Sequence, residues 1–302
     1  MPSISHQILH ACTWQLQRFV DLERRHIPVL RPRLDFLAGV LRLPWGVRGK
    51  QLRIGHMSAE WLVPATPSDT CVLLYLHGGG YAVGSPATHR GMAGRLAQTS
   101  GLKTLIIDYR LAPEHPFPAA LEDASIAYHW LLAQGYQVLL AGDSAGGGLC
   151  MSLQLMLQQM EVPLPLACVC FSPWVDLSFA SESAKRYQPK DPIVRASKIR
   201  DWAFAYADQT SLDHPFVSPI FGELGNLAPL LIHASTEEVL TDDAKRLAKR
   251  VQEQGGEVSI DMFHQVQHVW QLFWFFVPEA NDSLRQAGTF LHTHWAQETP
   301  QK

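Results

Sequence analysis

Apolar runs of strand length alternate with amphipathic segments along most of this chain. Residues 1–45 carry apolar positions at helical spacing, interrupted by Pro28 and Pro32, and this pattern predicts helices. After Leu52, short β-branched and aliphatic runs alternate with helical segments. The predicted strands are Val72–Leu76, Lys103–Asp108, Gln137–Ala141, Leu166–Phe171, Pro229–Ala234 and Glu257–Phe263, and the predicted helices are His89–Thr99, Ala119–Ala133, Gly146–Met160, Asp242–Gln254 and Pro278–His294. This alternation predicts an α/β fold with a mostly parallel central sheet flanked by helices.

One long stretch interrupts the alternation of strands and helices. Residues 178–216 contain little strand pattern and fall between two predicted sheet strands, where an α/β fold accommodates insertions. We therefore expect an N-terminal helical cap segment at 1–50, followed by an α/β domain at 51–302. Within that domain we expect a cap insertion at about 178–216, and both cap segments are expected to cover the functional site.

Composition and charge exclude several classes of protein. Hydrophobic residues make up 47% of the chain and charged residues 18%, which is ordinary globular usage. The net charge of −3 gives no reason to expect nucleic acid or an anionic membrane as a partner. No apolar run approaches the ~18 residues of a transmembrane helix, and residues 1–6 lack the features of a signal peptide. We expect a cytoplasmic protein without a transmembrane segment.

The segment Gly142-Asp143-Ser144-Ala145-Gly146 lies between a predicted strand and a predicted helix. A G-x-S-x-G pattern in this context is typical of a nucleophile elbow, which presents the serine hydroxyl above the end of the sheet. Glycines flank the serine because the turn brings the backbones of helix and strand close together. The sequence therefore predicts Ser144 as a nucleophile.

A serine nucleophile needs a base, and the base needs a carboxylate that orients it. After an elbow of this kind, the acid and then the base follow later strands of the sheet. His268 lies just past the strand Glu257–Phe263 and is the expected base. His264 is its nearest rival, but it ends that strand and is expected to belong to the sheet edge.

The acid is expected after the strand Pro229–Ala234, where four carboxylates occur. Asp242 and Asp243 open a predicted helix, where N-terminal capping and complementarity to the helix dipole are a sufficient explanation for them. Glu237 and Glu238 are left as candidates. We prefer Glu238, which precedes Val239-Leu240, and the alternative is an ordinary solvated glutamate.

A glycine run, His77-Gly78-Gly79-Gly80-Tyr81, directly follows the strand Val72–Leu76. Successive glycines allow backbone N–H groups to converge on one point, as acyl transfer requires for its oxyanion. The expected donors are Gly78, Gly79 and Ala145, and His77 is expected to anchor the loop. A phosphate-binding loop is the competing interpretation, but neither phosphate-binding glycine pattern occurs in the chain.

These motifs, together with Asp108-Tyr109-Arg110-Leu111-Ala112-Pro113-Glu114 and Ser172-Pro173-Trp174-Val175-Asp176-Leu177, resemble the hormone-sensitive lipase family of α/β-hydrolases, in its bacterial esterase branch. The resemblance covers about residues 70 to 295. It implies carboxylester hydrolysis by a Ser/acid/His triad, an N-terminal helical cap, no cofactor, and a preference for short acyl chains. The usual acid of the family is the Asp of an Asp-Pro-Leu segment, which corresponds here to Glu238-Val239-Leu240.

The resemblance also extends to supporting residues. Gly80 and Asp143 belong to the two motifs, and we expect them to support the site. Arg110 and Glu114 are expected to make buried charge-assisted bonds that support the oxyanion loop. The candidates for lining the acyl pocket are aromatic: Trp14, Phe19, Tyr81, Trp202, Phe204 and Tyr206.

We therefore expect a carboxylesterase that hydrolyses short-chain acyl esters, with a small-molecule ester as its partner. An amidase, lactonase or thioesterase using the same triad is the first alternative, because pocket shape sets leaving-group preference. A non-catalytic ligand receptor of the same fold is the second. A homodimer through the edge strand near Glu257–Phe263 is also an expectation from the resemblance.

Overall fold

An eight-stranded, mostly parallel sheet forms the centre of the protein. The computed structural model describes residues 2–19, 27–39, 42–187, 191, 193–194 and 196–298. The order of the strands across the sheet is β1-β2-β4-β3-β5-β6-β7-β8. Their bounds are β1 Arg48–Ile54, β2 Met57–Val63, β3 Cys71–Leu76, β4 Lys103–Ile107, β5 Gln137–Asp143, β6 Cys168–Phe171, β7 Leu230–Ser235 and β8 Val258–Phe263. The expected α/β architecture is confirmed.

Helices cover both faces of this sheet. They are α1 Ile4–Phe19, α2 Ile27–Ala38, α3 Pro86–Ser100, α4 Ala119–Ala133, α5 Ala145–Gln159, α6 Glu182–Tyr187, α7 Ala196–Ala207, α8 Thr241–Glu253 and α9 Pro278–Glu298. Each of the six predicted strands and five predicted helices has its counterpart here, with bounds that differ by a few residues.

The core is divided by the sheet, and β3 shows how. All six residues of β3 are buried, and its side chains alternate between two apolar clusters. Val72 and Leu74 face a cluster that includes α4, α5 and α8, whereas Leu73 and Tyr75 face one that includes α3 and α9. A strand buried on both faces reads as a continuous apolar run, which is why its position could be predicted.

The antiparallel pair β1–β2 has no counterpart among the predicted strands. Strand β1 is exposed at most positions and carries Arg48, Lys50 and Arg53, so it offers no apolar run. It pairs with β2 through a tight turn at Gly55, whose φ of 59° suits glycine. β1 also begins before residue 51, where we expected the α/β domain to start.

Two of the helices contact the glycine-rich loop after β3. Ile27 and Leu30 of α2 and Trp202 of α7 pack together with Ala82 and Val83 of that loop. The stretch at about 178–216, in which little strand pattern was found, contains helices α6 and α7. None of the helices in the described part of the chain is long and apolar enough to cross a membrane.

Candidate active site

A sharp turn joins strand β5 to helix α5 at Ser144. The residue has φ 52° and ψ −120°, a positive φ that non-glycine residues rarely adopt. A Cβ on Gly146 would lie 2.0 Å from the Leu76 carbonyl oxygen, and one on Gly142 would lie 2.4 Å from the Gly146 carbonyl oxygen. Both flanking glycines are therefore required by the close approach of the helix to the strands. The geometry is that of a nucleophile elbow.

A chain of hydrogen bonds links Ser144 to two residues that follow later strands. The Ser144 hydroxyl lies 3.0 Å from His268 Nε2, and His268 Nδ1 lies 2.6 Å from Glu238 Oε2. Both hydrogen bonds are made by the His268 imidazole, which donates from Nδ1 to Glu238 and accepts at Nε2 from Ser144. Ser144 is 8% exposed, His268 2%, and Glu238 is fully buried. The structure thus brings together three residues that were singled out in the sequence.

Glu238 is fixed by donors other than His268. Its Oε1 accepts the backbone N–H of Ser235 at 2.7 Å and the Ser172 hydroxyl at 2.9 Å. Both oxygens of the carboxylate are consequently bonded, so the side chain has one orientation. Glu237 lies half-buried and accepts from the Gln265 amide at 3.2 Å, away from His268.

The other sequence candidates lie elsewhere. His264 is exposed at the end of β8, 3.5 Å from the Thr236 hydroxyl. Asp242 and Asp243 lie in the first turn of α8, as expected, where their charge complements the helix dipole, but neither caps the helix, because the N-cap position is Leu240 and carries no side-chain cap. Asp242 instead accepts from Ser183, and Asp243 accepts the backbone N–H groups of Val175 and Asp176.

The electrostatic environment of His268 favours its protonated form. Burial alone would lower the pKa of this imidazole, but its hydrogen bond to Glu238 and the charge of Glu238 outweigh that effect. Asp191 and Asp143 act in the same direction, so the pKa is raised above its usual value. Asp191 was missed in the sequence because it lies in a stretch without periodic pattern.

The glycine-rich loop differs in one respect from expectation. The N–H of Gly78 donates to Asp143 Oδ1 at 3.1 Å, so it is already engaged within the protein. Gly78 is therefore not a free oxyanion donor, contrary to our prediction. Within the described part of the chain, the N–H groups of Gly79, Gly80 and Ala145 have no hydrogen-bond acceptor.

The side chains of Asp143 and His77 fix this loop by hydrogen bonds to the backbone of Gly78. Asp143 also accepts the Tyr75 hydroxyl at 2.7 Å and lies 3.3 Å from His89 Nε2. His77 Nδ1 lies 2.8 Å from the Gly78 carbonyl oxygen, and its ring stacks on Tyr109 at a centroid distance of 4.2 Å. Burial lowers the pKa of His77 to about 3, so its ring is a neutral donor.

We expected Arg110 and Glu114 to make buried charge-assisted bonds that support the glycine-rich loop, but their partners are different ones. Arg110 bonds Asp123 and Glu122, and its side chain is 30% exposed. Glu114 pairs with Arg31 of α2 at 2.8 Å. Arg31 in turn donates to the Ala82 carbonyl at 2.9 Å, so Glu114 is linked to the loop through Arg31 of α2.

The aromatic pocket candidates have different environments. Trp202 is half-buried and lies against Gly80, where an added Cβ would be 2.1 Å from its ring. Tyr81 and Tyr206 are buried and stacked at 3.7 Å, so they pack on each other and expose no surface to a ligand. Phe204 is 46% exposed, with the Arg200 guanidinium over its ring. The side chains of Trp14 and Phe19 lie outside the described part of the structure.

Comparison with known proteins agrees with this geometry. A family model described as alpha/beta hydrolase fold matches residues 73–272. The acetyl-hydrolase of Streptomyces hygroscopicus is 41% identical over 248 residues, covering 81% of this chain and 83% of that protein. The fold and the matched region define the chain as an α/β-hydrolase.

Solved structures narrow the class. An esterase from the bacterial hormone-sensitive lipase family superposes with a TM-score of 0.92 at 35% identity, covering 97% of this chain and 99% of the other. The esterase EstE5, in crystals soaked with p-nitrophenyl butyrate, gives 0.91 at 33% identity with the same coverage. The chain belongs to the family of the bacterial hormone-sensitive lipase esterases, and it is an ester hydrolase of that family.

Proposed function

We propose that the protein is a carboxylesterase in which Ser144, His268 and Glu238 form the catalytic triad. The observation that supports this most strongly is the continuous hydrogen-bond chain Ser144–His268–Glu238 at 3.0 and 2.6 Å, with its serine at the elbow. In this mechanism His268 Nε2 takes the hydroxyl proton as Ser144 Oγ attacks the acyl carbonyl carbon. Glu238 holds the proton on Nδ1 and stabilises the imidazolium that forms.

The tetrahedral intermediate carries a negative oxygen that needs donors. We assign this role to the N–H groups of Gly79, Gly80 and Ala145, because they lie in the glycine-rich loop and directly after the nucleophile, and none of them has an acceptor in the described part of the protein. Collapse of the intermediate expels the alcohol, which takes its proton from His268 Nε2. Water then gives a proton to His268 and attacks the acyl-enzyme, and the carboxylic acid leaves as Ser144 is reprotonated.

The direct test is hydrolysis of p-nitrophenyl butyrate by the wild-type protein and by Ser144→Ala. We expect wild-type turnover to fall at least about 10³-fold in the variant, because the nucleophile is lost while the fold keeps its packing. A circular dichroism melt of both proteins controls for folding. Wild-type activity that survives in Ser144→Ala would contradict the assignment of the nucleophile.

We further propose a preference for short acyl chains. The support is the half-buried Trp202 against Gly80 and the packing of α2 and α7 on the same loop, which narrows the space beside the donors. The name of the acetyl-hydrolase relative is consistent with a small acyl group.

We expect kcat/KM for p-nitrophenyl esters to be highest between C2 and C6 and to fall at least about tenfold at C12, because a longer chain meets a closed pocket. Trp202→Ala should relax this limit, and Phe204→Ala is the matched control, since Phe204 is an exposed aromatic residue of the same helix. A wild-type preference for C12 or longer esters would contradict the proposal.

Leaving-group preference separates an esterase from an amidase or a thioesterase on the same triad. A butyryl anilide and a butyryl thioester, assayed beside the p-nitrophenyl ester, measure it directly. The homodimer through the edge strand Val258–Phe263 and the cytoplasmic location remain predictions from the sequence.

A further inference from the structure

A buried carboxylate outside the proposed triad, Asp191, lies between helices α6 and α7 of the cap insertion and is 2% exposed. One oxygen, Oδ1, accepts the backbone N–H groups of Ile193 and Val194 at 2.9 and 3.0 Å. The other, Oδ2, accepts the N–H of Val239 at 3.3 Å. Val239 directly follows Glu238, so Asp191 ties the cap insertion to the turn that carries the acid.

Val239 is held by the cap at its other backbone group as well. The Ser183 hydroxyl of α6 donates to the Val239 carbonyl at 2.8 Å. Both backbone polar groups of this residue are therefore bonded to the cap insertion, one by a charged side chain and one by a neutral side chain. This pairing provides two contacts that can be cut separately.

The contacts of Asp191 fit its ionised form. Among the residues that the structure describes, the hydrogen-bond partners of its side chain are backbone N–H groups, which donate to a carboxylate. Burial, with a contribution from the charge of Glu238, raises the pKa of this carboxyl above its ordinary value, and the charge of His268 and the N–H groups of Val194 and Ile193 partly offset that rise. The charged groups that face His268 are Glu238 from the acid turn, Asp191 from the cap and Asp143 from the end of β5.

We propose that Asp191 is a positioning residue, which fixes the acid turn to the cap insertion and adds its negative charge to those of Glu238 and Asp143 in stabilising the His268 imidazolium. This inference rests on the proposed role of His268 as the general base. The triad carboxylate Glu238 makes the direct bond, and Asp191 acts through the turn and through its charge. A cap segment would then contribute to proton transfer in addition to covering the site.

The test compares Asp191→Asn with Ser183→Ala. Each variant cuts one bond between the cap and Val239, but only Asp191→Asn removes a charge. The titration of the His268 imidazole is followed by NMR of protein labelled with ¹⁵N-histidine, and its signals are assigned by their loss in His268→Gln. We expect the midpoint of Asp191→Asn to fall by about half a pH unit or more, and that of Ser183→Ala to stay at the wild-type value.

Kinetics give a second readout. The low-pH limb of the kcat/KM profile for p-nitrophenyl butyrate should shift to lower pH in Asp191→Asn, because the base becomes harder to protonate. The kcat of Asp191→Asn at the pH plateau should fall about threefold or more. This loss corresponds to the same free energy as the expected shift of the His268 midpoint, because both measure how strongly the imidazolium is stabilised. If Asp191→Asn does not fold, Asp191→Ser, which retains an oxygen acceptor without charge, undergoes the same measurements.

A wild-type midpoint in Asp191→Asn, or an equal shift in Ser183→Ala, would overturn the inference and leave Asp191 a purely structural residue. Absence of ester hydrolysis by the wild type would contradict the proposed function instead. In that case the NMR titration still decides the role of Asp191, because it requires no turnover.

Discussion

At the scale of single residues, the choice between two adjacent glutamates decides the mechanism. Glu238→Gln should lower kcat by about 10²–10⁴, because Oε1 must stay with the donors Ser235 and Ser172 and the amide NH₂ then faces His268. The imidazole would have to accept at Nδ1 and carry its proton on Nε2. In that tautomer it cannot take the proton of Ser144. Steady-state kinetics with p-nitrophenyl butyrate measure the loss.

Glu237→Gln is the matched control for that substitution. Glu237 is half-buried and bonds only the Gln265 amide among the contacts that the structure describes. Its kcat should remain within about twofold of wild type, as for most surface substitutions. Equal losses in the two variants, or a larger loss in Glu237→Gln, would show that the acid has been assigned wrongly.

Residue types and their order along the chain were sufficient to select the members of the hydrogen-bonded chain. Ser144, Glu238 and His268 each follow a strand of one parallel sheet, and the carboxyl ends of such strands meet at one edge. The direction of a backbone N–H has no such signature. Gly78 and Gly80 are identical letters in one run, and the bond from Gly78 to Asp143 shows which of the two N–H groups is already engaged.

At the scale of secondary-structure elements, the position of an element could be predicted from the sequence where its residues are buried. Strand β5 and helix α5 could be placed because their buried residues form long apolar runs. Strand β1 could not, because it is exposed and charged and its position is fixed by pairing with β2. The position of β1 is therefore determined by tertiary contacts, which leave no pattern in the local sequence.

Helix α2 shows the same limit for function. Arg31 donates to the carbonyls of Ala82 and Ala112 and pairs with Glu114, which joins an N-terminal helix to the loop after β3. Nothing near Arg31 in the sequence indicates these partners, which lie far along the chain. Helix α2 is thus bound to the glycine-rich loop after β3 by charge-assisted bonds as well as by apolar packing.

At the scale of the whole molecule, one buried carboxylate links three parts of the chain. Asp243 of α8 accepts from the backbone of Val175 and Asp176, which follow β6, and from the hydroxyl of Ser181, which directly precedes α6. Burial is the main cause that raises the pKa of Asp243 to about 7, and the charge of Asp176 adds to it. The folded protein therefore retains a proton that the unfolded chain releases near pH 4.

This difference sets a pH dependence of stability. A group whose pKa is higher in the folded state contributes stability that is complete below about pH 4 and is lost as pH rises through about 7. Asp243→Asn retains the shape, accepts from the same two N–H groups and can donate to Ser181, but it does not ionise. Its Tm relative to wild type should therefore rise between pH 4 and pH 8, by about 3 °C or more.

Thermal melts across this pH range measure the effect, with Asp242→Asn as the control. Asp242 is the preceding residue of the same helix and its removal changes the net charge equally, while its partner is the Ser183 N–H. Subtracting the control isolates the buried position from the general effect of one charge at the start of α8. A difference in Tm between Asp243→Asn and wild type that is constant from pH 4 to pH 8 would show that Asp243 ionises normally in the folded protein. In that case Asp243 would be ionised throughout the upper part of this pH range, and its hydrogen bonds to Ser181 and to the segment after β6 would keep the same charge state there.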